Sequence, residues 1–114
     1  PFDNEADNAQ DIFAGNCGLI DQADIVIANL NPFRGAEPDS GTCFEVGYAH
    51  AKGKQIYGYV SDGRAMREKI GENDAEGFAV ENFGLPLNLM LCGAARIVAG
   101  DFAAALAVCA SEQA

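Results

Sequence analysis

Asp39 and Glu45 are the two side chains of this sequence best placed to do chemistry. They follow an apolar, β-branched run at residues 25–30 that is typical of a buried parallel strand. Prolines and glycines then break the backbone, and a helical pattern begins near Gly41 or Thr42. In an open α/β sheet this order brings loop side chains to the carboxyl edge of the strands, where ligands bind. Two carboxylates that converge on one pocket can cleave a glycosidic bond.

Each of these acids also has a purely structural explanation. Thr42 and Glu45 have the spacing of a capping box, in which the threonine caps the helix and the glutamate reaches back to its start. Asp39 lies in a Pro-Asp-Ser-Gly context that favours an Asx turn. The functional reading uses the same location, because the helix dipole stabilises a carboxylate that can attack an electron-poor carbon. The spacing alone leaves both explanations open.

Other candidate sites have weaker support. Cys43 and His50 share a helix face, but seven residues correspond to about 10 Å of rise, too far for a nucleophile and its base. The chain has one histidine and no metal-ligand spacing, so we expect no metal and no cofactor. Asn88 stands among leucines, where its amide either satisfies backbone groups or points into a site.

Composition narrows the class of protein and its partners. The chain has 114 residues and fits a single domain over residues 1–114. Its net charge of -10 argues against a nucleic-acid or anionic-membrane partner, and no run is long and apolar enough for a membrane span. The four cysteines form no C-x-x-C pair, so we expect free thiols and a reducing, cytoplasmic location.

The chain reads as strands that alternate with helices, which predicts an α/β fold with a parallel sheet. Residues 1–8 are predicted to be a loop, and residues 9–21 a helix that buries Ile12, Phe13, Leu19 and Ile20. Further predicted helices cover residues 42–53, 64–70 and 101 onwards, with a helical turn at 87–91. The predicted strands are residues 23–30, 55–60 and 95–98. Because a doubly wound domain normally has five strands, we expect the N-terminal strand and helix to be missing here.

Residues 23–49, 61–69 and 83–90 resemble the nucleoside 2-deoxyribosyltransferase family in three separate places and in the same order. The signature D-x-G-T-x-x-E-x-G-x-A runs here from Asp39 to Ala49. The resemblance implies a flavodoxin-like (Rossmann-type) domain, with helices on both faces of a parallel sheet. It also implies transfer of 2-deoxyribose between purine and pyrimidine bases in nucleoside salvage, with 2-deoxynucleosides and free nucleobases as the partners.

The same resemblance implies a role for each matched residue. Glu45 stands where the family has its nucleophile, which attacks C1′ and forms a covalent deoxyribosyl-enzyme that a second base opens with net retention. Asp39 and Asn88 match residues that hold the 5′-hydroxyl end of the sugar, and Gly41 of the signature is expected in the same substrate site. The family's asparagine usually comes from the adjacent subunit, so we expect a homo-oligomer with Asn88 contributed to a neighbouring site.

Two departures from the family pattern bear on mechanism. Asn16 stands where some members have an aspartate that hydrogen-bonds the base and helps to protonate it; an amide can orient the base but cannot supply the proton. The family's first strand carries an aromatic residue that helps to position the nucleophile, and no such strand is visible here.

The sequence alone leaves two rival functions open. One is a hydrolase of 2-deoxynucleoside 5′-monophosphates that uses the same Glu45 chemistry. It needs a phosphate cradle, and only Arg34, Arg64 and Arg67 could supply one near an acid that repels phosphate. The other is a non-enzymatic flavodoxin-like binding or signalling domain, such as a phospho-acceptor receiver. Such a domain needs a lysine after a late strand, and no lysine follows Lys69.

Overall fold

The computed structural model describes residues 4–114, in which helices alternate with strands. In chain order the elements are α1 (Glu5–Gln22), β1 (Ile25–Asn29), α2 (Ser40–Ala51), β2 (Gln55–Val60), α3 (Met66–Ile70), α4 (Leu89–Ala94), β3 (Arg96–Ala99) and α5 (Phe102–Gln113).

The described strands form a parallel sheet in the order β1-β2-β3. Ile25 of β1 lies opposite Gln55 of β2, and Tyr57 of β2 lies opposite Arg96 of β3. All the predicted strands are therefore confirmed, and so is the α/β class. Because the strands are parallel, their carboxyl ends meet at one edge, where the segments after β1 and β2 run side by side.

Helices cover both faces of this sheet, as predicted. Side chains alternate along a strand, so neighbouring residues of β2 face opposite sides. Ile56 belongs to the apolar cluster that includes Val46 of α2. On the other face, the Tyr57 hydroxyl donates to Glu112 of α5 at 2.8 Å. The helices α2 and α4 therefore pack on one face of the sheet, and α5 packs on the other.

The main core lies between the sheet and the α2–α4 layer. Leu30, directly after β1, is fully buried there. A side-chain carbon placed on Gly58 of β2 would collide with the Leu30 side chain, so any larger residue here would force Leu30 to move. Truncating a fully buried leucine to alanine typically costs about 3 kcal/mol. This packing fixes the point from which the chain leaves β1 towards α2.

The prediction for the first helix is wrong in two respects. Residues 5–8 are helical instead of forming a loop, because the Asn4 side chain caps α1 by accepting the N–H of Ala6 at 2.8 Å. Residues 1–3 of the predicted loop lie outside the described residues. Of the predicted buried stripe only Ile20 is buried, whereas Ile12 and Leu19 are 64% and 69% exposed. The reason is that α1 packs mainly against α2 and leaves this side uncovered.

The other element boundaries agree closely with the predictions. Gly53 follows α2 with a φ of 74°, as expected for a glycine directly after a helix C-cap. Asp101 caps α5 by accepting the N–H of Ala104 at 2.9 Å, which confirms the predicted N-cap. No helix within residues 4–114 combines the length and apolar character needed to cross a membrane.

Candidate functional site

Asp39 begins α2 and occupies the N-cap position. Its Oδ2 accepts the backbone N–H of Thr42 at 3.1 Å and the Thr42 hydroxyl at 3.4 Å. The predicted capping box is therefore wrong: Thr42 lies inside the helix, and the cap is the aspartate three residues earlier. Glu45 forms no hydrogen bond to the helix start in the described part of the chain. Its carboxylate is consequently not used for capping.

Gly41 lets the carboxylate of Asp39 lie close over the first turn of α2. A side-chain carbon added at Gly41 would stand 3.1 Å from Asp39 Oδ2, closer than ordinary van der Waals contact. Any larger residue at position 41 would push the carboxylate away from its capping position. The glycine of the signature therefore acts here by making room for Asp39.

Glu45 is half-buried and lines a cavity of about 660 Å³ between α1 and α2. We call this the apolar cavity, because most of its walls are hydrophobic. Its lining residues are Ala9, Ile12, Phe13, Asn16, Cys17, Asp39, Gly41, Phe44 and Glu45. The volume lies within the range of about 300–1,000 Å³ typical of small-molecule sites. Glu45 has no hydrogen-bond or ion-pair partner among residues 4–114.

A second space, the polar cavity, lies at the carboxyl end of β1. It has a volume of about 370 Å³ and is lined by Asn29, Asn31, Pro32, Phe33, Asp39 and Thr42. Asp39 borders both the polar and the apolar cavity. A third space of about 250 Å³, the edge cavity, runs along β1 and shares Asn29 and Thr42 with the polar cavity and Glu45 with the apolar one. Asp39 therefore stands where the apolar and the polar cavity meet, and Glu45 stands between the apolar and the edge cavity.

The structure brings together four of the five residues expected at the substrate site: Asn16, Asp39, Gly41 and Glu45 all line the apolar cavity. Asn88 is not among the residues that line it. Its Oδ1 caps α4 by accepting the N–H of Met90 at 2.8 Å, and its Nδ2 donates to Glu81 at 2.8 Å. Within this chain the Asn88 amide satisfies backbone and carboxylate groups.

The sequence did not identify the aromatic wall of the apolar cavity. Phe13 of α1 and Phe44 of α2 are about half exposed, and their ring centroids lie 5.7 Å apart. A signal for them was present, because Phe13, Asn16 and Cys17 recur at helical spacing and so share one face of α1. Polar and thiol groups on an otherwise apolar face indicate a cavity rather than a packed core.

Cys43, two residues before Glu45 in α2, does not offer an alternative nucleophile. All four cysteines are free, as predicted. Burial raises the pKa of the Cys43 thiol, and the negative charges of Glu37 and Asp39 raise it further, so Cys43 is not a thiolate at neutral pH. Among residues 4–114 no group of three or more histidine, cysteine or acidic side chains could hold a metal ion.

Of the three arginines considered for a phosphate cradle, Arg64 and Arg67 are bonded elsewhere, whereas Arg34 lies next to the polar cavity. Arg64 forms an ion pair with Asp62 at 2.8 Å, and its hydrogen bond lowers the pKa of Asp62 to about 2. Arg67 donates to the carbonyl of Val80 at 3.0 Å, and the Arg34 guanidinium packs over the ring of Phe33. None of them lines the apolar, polar or edge cavity. Among residues 4–114, the side chains that line these three cavities therefore include two acids and no cation.

Comparison with known proteins gives results that agree with this geometry. A model of the family described as nucleoside 2-deoxyribosyltransferase matches residues 1–90. A solved structure of a 2-deoxyribosyltransferase from Leishmania mexicana superimposes with a TM-score of 0.81 at 47% sequence identity, over 88% of this chain and 66% of that one. An uncharacterized protein of Schizosaccharomyces pombe is 32% identical over 72% of this chain and 50% of its own length. The chain therefore spans between half and two thirds of the length of these relatives.

Proposed function

The chain belongs to the nucleoside 2-deoxyribosyltransferase family, and we propose that it transfers 2-deoxyribose between nucleobases with Glu45 as the nucleophile. One observation carries the proposal: a half-buried carboxylate without a hydrogen-bond or ion-pair partner among residues 4–114 lines both the base-sized apolar cavity and the edge cavity, which shares Asn29 and Thr42 with the polar one. The apolar cavity takes the planar base, and the polar cavity takes the sugar. The anomeric carbon then lies between them, in front of Glu45.

The reaction follows as two displacements. A Glu45 carboxylate oxygen attacks C1′ of a 2-deoxynucleoside, the C1′–N bond breaks, and the bonding electrons leave with the base. The product is an ester between Glu45 and the sugar. A ring nitrogen of the second base attacks the same carbon from the face the first base left, which releases the carboxylate and returns the base's proton to water. Two inversions give net retention.

The leaving base must gain a proton, and Asn16 can orient the base but cannot provide that proton. The acids that border the apolar cavity are Asp39 and Glu45, which are engaged with the sugar in this scheme. We therefore assign protonation of the leaving base to water, and orientation of the base to the Asn16 amide and to stacking on Phe13 and Phe44.

Asn88 is proposed to complete the site of a neighbouring subunit. The segment around it carries more exposed apolar surface than a monomer normally shows: Phe83 is 66% exposed, Leu89 44% and Met90 73%. In a homo-oligomer this surface is buried, and the Asn88 amide exchanges its contact with Glu81 for the sugar of the adjacent site.

Subunit complementation tests the shared site. Glu45→Gln and Asn88→Ala variants are each expected to be inactive or strongly impaired, and mixing them should restore activity up to about a quarter of the wild-type level, because one site type in a mixed dimer is intact. No recovery after co-refolding would contradict the shared site. Sedimentation analysis of both variants checks that they still associate.

The hydrolase of nucleoside 5′-monophosphates is the weaker candidate. A phosphate on the sugar would lie beside the negative charge of Asp39, which repels it. Arg64 and Arg67 are bonded elsewhere, and Arg34 packs over Phe33 at the edge of the polar cavity without lining that cavity itself. The family match also disfavours a non-enzymatic signalling domain.

The decisive experiment measures base exchange and the covalent intermediate together. Protein incubated with deoxyinosine and adenine should form deoxyadenosine, whereas dAMP should stay intact. Incubation with deoxyinosine alone should add the mass of one deoxyribosyl group, and peptide mapping should find it on Glu45. Hydrolysis of dAMP without exchange would establish the rival function instead. Exchange with an adduct on any other residue would refute the role of Glu45.

A further inference from the structure

Two asparagines at the end of β1 form a hydrogen-bonded relay of fixed orientation. The backbone N–H of Ser61, directly after β2, donates to Asn31 Oδ1 at 2.8 Å. The Nδ2 of Asn31 donates to Asn29 Oδ1 at 2.9 Å, and the backbone N–H of Asn31 donates to the same oxygen at 3.0 Å. Because a backbone N–H can only donate, each amide oxygen must be the atom that accepts it. The orientation of both amides is therefore determined by the backbone.

The relay leaves the amide N–H group of Asn29, an exposed side chain, without a partner in the described part of the chain. Asn29 Nδ2 makes no hydrogen bond to any of residues 4–114, although its oxygen accepts two. Asn29 borders the polar cavity together with Asp39, and the edge cavity together with Glu45. An amide group held from behind by two hydrogen bonds presents its donor at little entropic cost when a ligand binds.

We propose that Asn29 is a substrate-binding residue whose Nδ2 donates to the 5′-hydroxyl of the deoxyribose, while that hydroxyl donates to Asp39. This assignment rests on the proposed function. A hydroxyl is both donor and acceptor, so a fixed donor beside a carboxylate recognises it from both sides. Asp39 keeps its Oδ1 available for this contact, because both of its capping bonds use Oδ2. Asn31 acts through Asn29 as a positioning residue.

The arrangement also predicts discrimination against nucleotides. The charge of a 5′-phosphate is repelled by the Asp39 carboxylate, and a phosphate that has lost both protons has none to donate to it. A 5′-hydroxyl satisfies both Asn29 and Asp39. Asp39 therefore selects nucleosides over nucleoside monophosphates, whereas the Asn29 donor can bind either group.

A cycle of variants and substrates tests this assignment. Base exchange is measured with 2′-deoxyadenosine and with 2′,5′-dideoxyadenosine as donors and hypoxanthine as acceptor. Asn29→Ala should lower kcat/KM for 2′-deoxyadenosine about tenfold, the scale of one hydrogen bond. The same variant should leave kcat/KM for 2′,5′-dideoxyadenosine within about twofold of wild type, because that substrate has no hydroxyl for Asn29 to bind. Equal losses on both donors would overturn the proposal.

A second variant tests the assignment even if Asn29→Ala disturbs the loop that follows β1. Asn29→Asp keeps the oxygen that accepts from Asn31, replaces the donor by an acceptor and adds a negative charge beside Asp39, so exchange of 2′-deoxyadenosine should fall at least as far. Wild-type exchange by Asn29→Asp would show that the donor is unnecessary and overturn the assignment. Asn73→Asp, an exposed position outside the three cavities, is the matched control. A wild-type protein that exchanges no base overturns the proposed function and this assignment together, whereas exchange without selectivity at Asn29 overturns this assignment alone.

Discussion

The two ends of α2 differ in whether their polar side chains have bonding partners within the protein. At the C-terminal end, Tyr48 donates to Asp21 of α1 at 2.7 Å, Lys52 approaches the same carboxylate at 3.5 Å, and Lys54 donates to the Asp21 carbonyl at 3.1 Å. At the N-terminal end, Glu45 has no such partner among residues 4–114. One helix therefore has an anchored end and an open end.

The comparison shows how the fold separates stability from ligand binding. The hydrogen bond from Tyr48, and then the nearby charge of Lys52, lower the pKa of Asp21, while the same bond raises the pKa of Tyr48. Those groups have their interactions within the protein and cannot offer them to a ligand. A carboxylate left without partners beside a cavity can do so. We therefore expect substitutions at the open end to change activity, and substitutions at the anchored end to change stability.

The largest expected effect is that of Glu45→Gln at the open end. The amide is nearly isosteric but a poor nucleophile, so base exchange should fall on the order of 10³-fold or more, the scale of losing a covalent nucleophile. The melting temperature should stay unchanged, because Glu45 has no hydrogen bond or ion pair to lose among residues 4–114. Exchange assays and thermal melts measure the two quantities, with the exposed Glu68→Gln as matched control. Retained base exchange in Glu45→Gln would show that the open end of α2 is not where the reaction takes place.

Asp39 is expected to affect both stability, as the cap of α2, and activity, as a sugar-binding residue. Two substitutions separate these roles. Asparagine caps a helix as well as aspartate does, so Asp39→Asn should keep the stability while lowering kcat/KM about tenfold, because a charged hydrogen bond to the sugar becomes a neutral one. Asp39→Ala should additionally lower the free energy of unfolding by about 1 kcal/mol through loss of the cap. Chemical denaturation and steady-state kinetics measure these effects. Equal stability of the two variants would show that the cap contributes nothing.

The strands and the start of the site region were predictable because their signals are local. The β-branched run before Leu30 and the glycine after α2 determine backbone conformation within a few residues. Asp39 and Glu45 were recognised for the same reason, since they stand in one short segment. The resemblance to a family then named roles that spacing alone did not provide.

The errors concern contacts between separate elements and competition between neighbouring residues for the start of a helix. Ile12 and Leu19 have the apolar spacing of a buried face, yet whether a face is buried depends on what packs against it. The capping box failed because Asp39 and Thr42 compete for the same helix start, and the aspartate binds the Thr42 N–H. Asn29 was overlooked because its free donor becomes visible only once the contacts of Asn31 and Ser61 are known.

The anchored end gives the smallest effect and the sharpest contrast. Tyr48→Phe removes the hydroxyl that donates to Asp21 and leaves the ring in place between Phe44 and Lys52. We expect the melting temperature to fall by a few degrees and base exchange to stay within about twofold of wild type. Tyr59→Phe is the matched control, because the Tyr59 hydroxyl makes no hydrogen bond within the described residues. A large loss of exchange in Tyr48→Phe would mean that the two ends of α2 are not independent.

The same variant should also change the response to acid. The folded-state pKa of Asp21 lies below its ordinary value of 3.8, so its stabilising contribution is complete above about pH 3.8 and is lost as the pH falls through the lowered value. The hydrogen bond from Tyr48 is the largest cause of that shift. Without it, the stability of Tyr48→Phe should depend less steeply on pH below about 3.8 than that of wild type and of Tyr59→Phe. Denaturant midpoints measured from pH 5 downwards would reveal the difference, since the stabilities of Tyr48→Phe and wild type should converge in acid. A stability difference that stays constant with pH would show that the Tyr48 hydroxyl does not act through ionised Asp21.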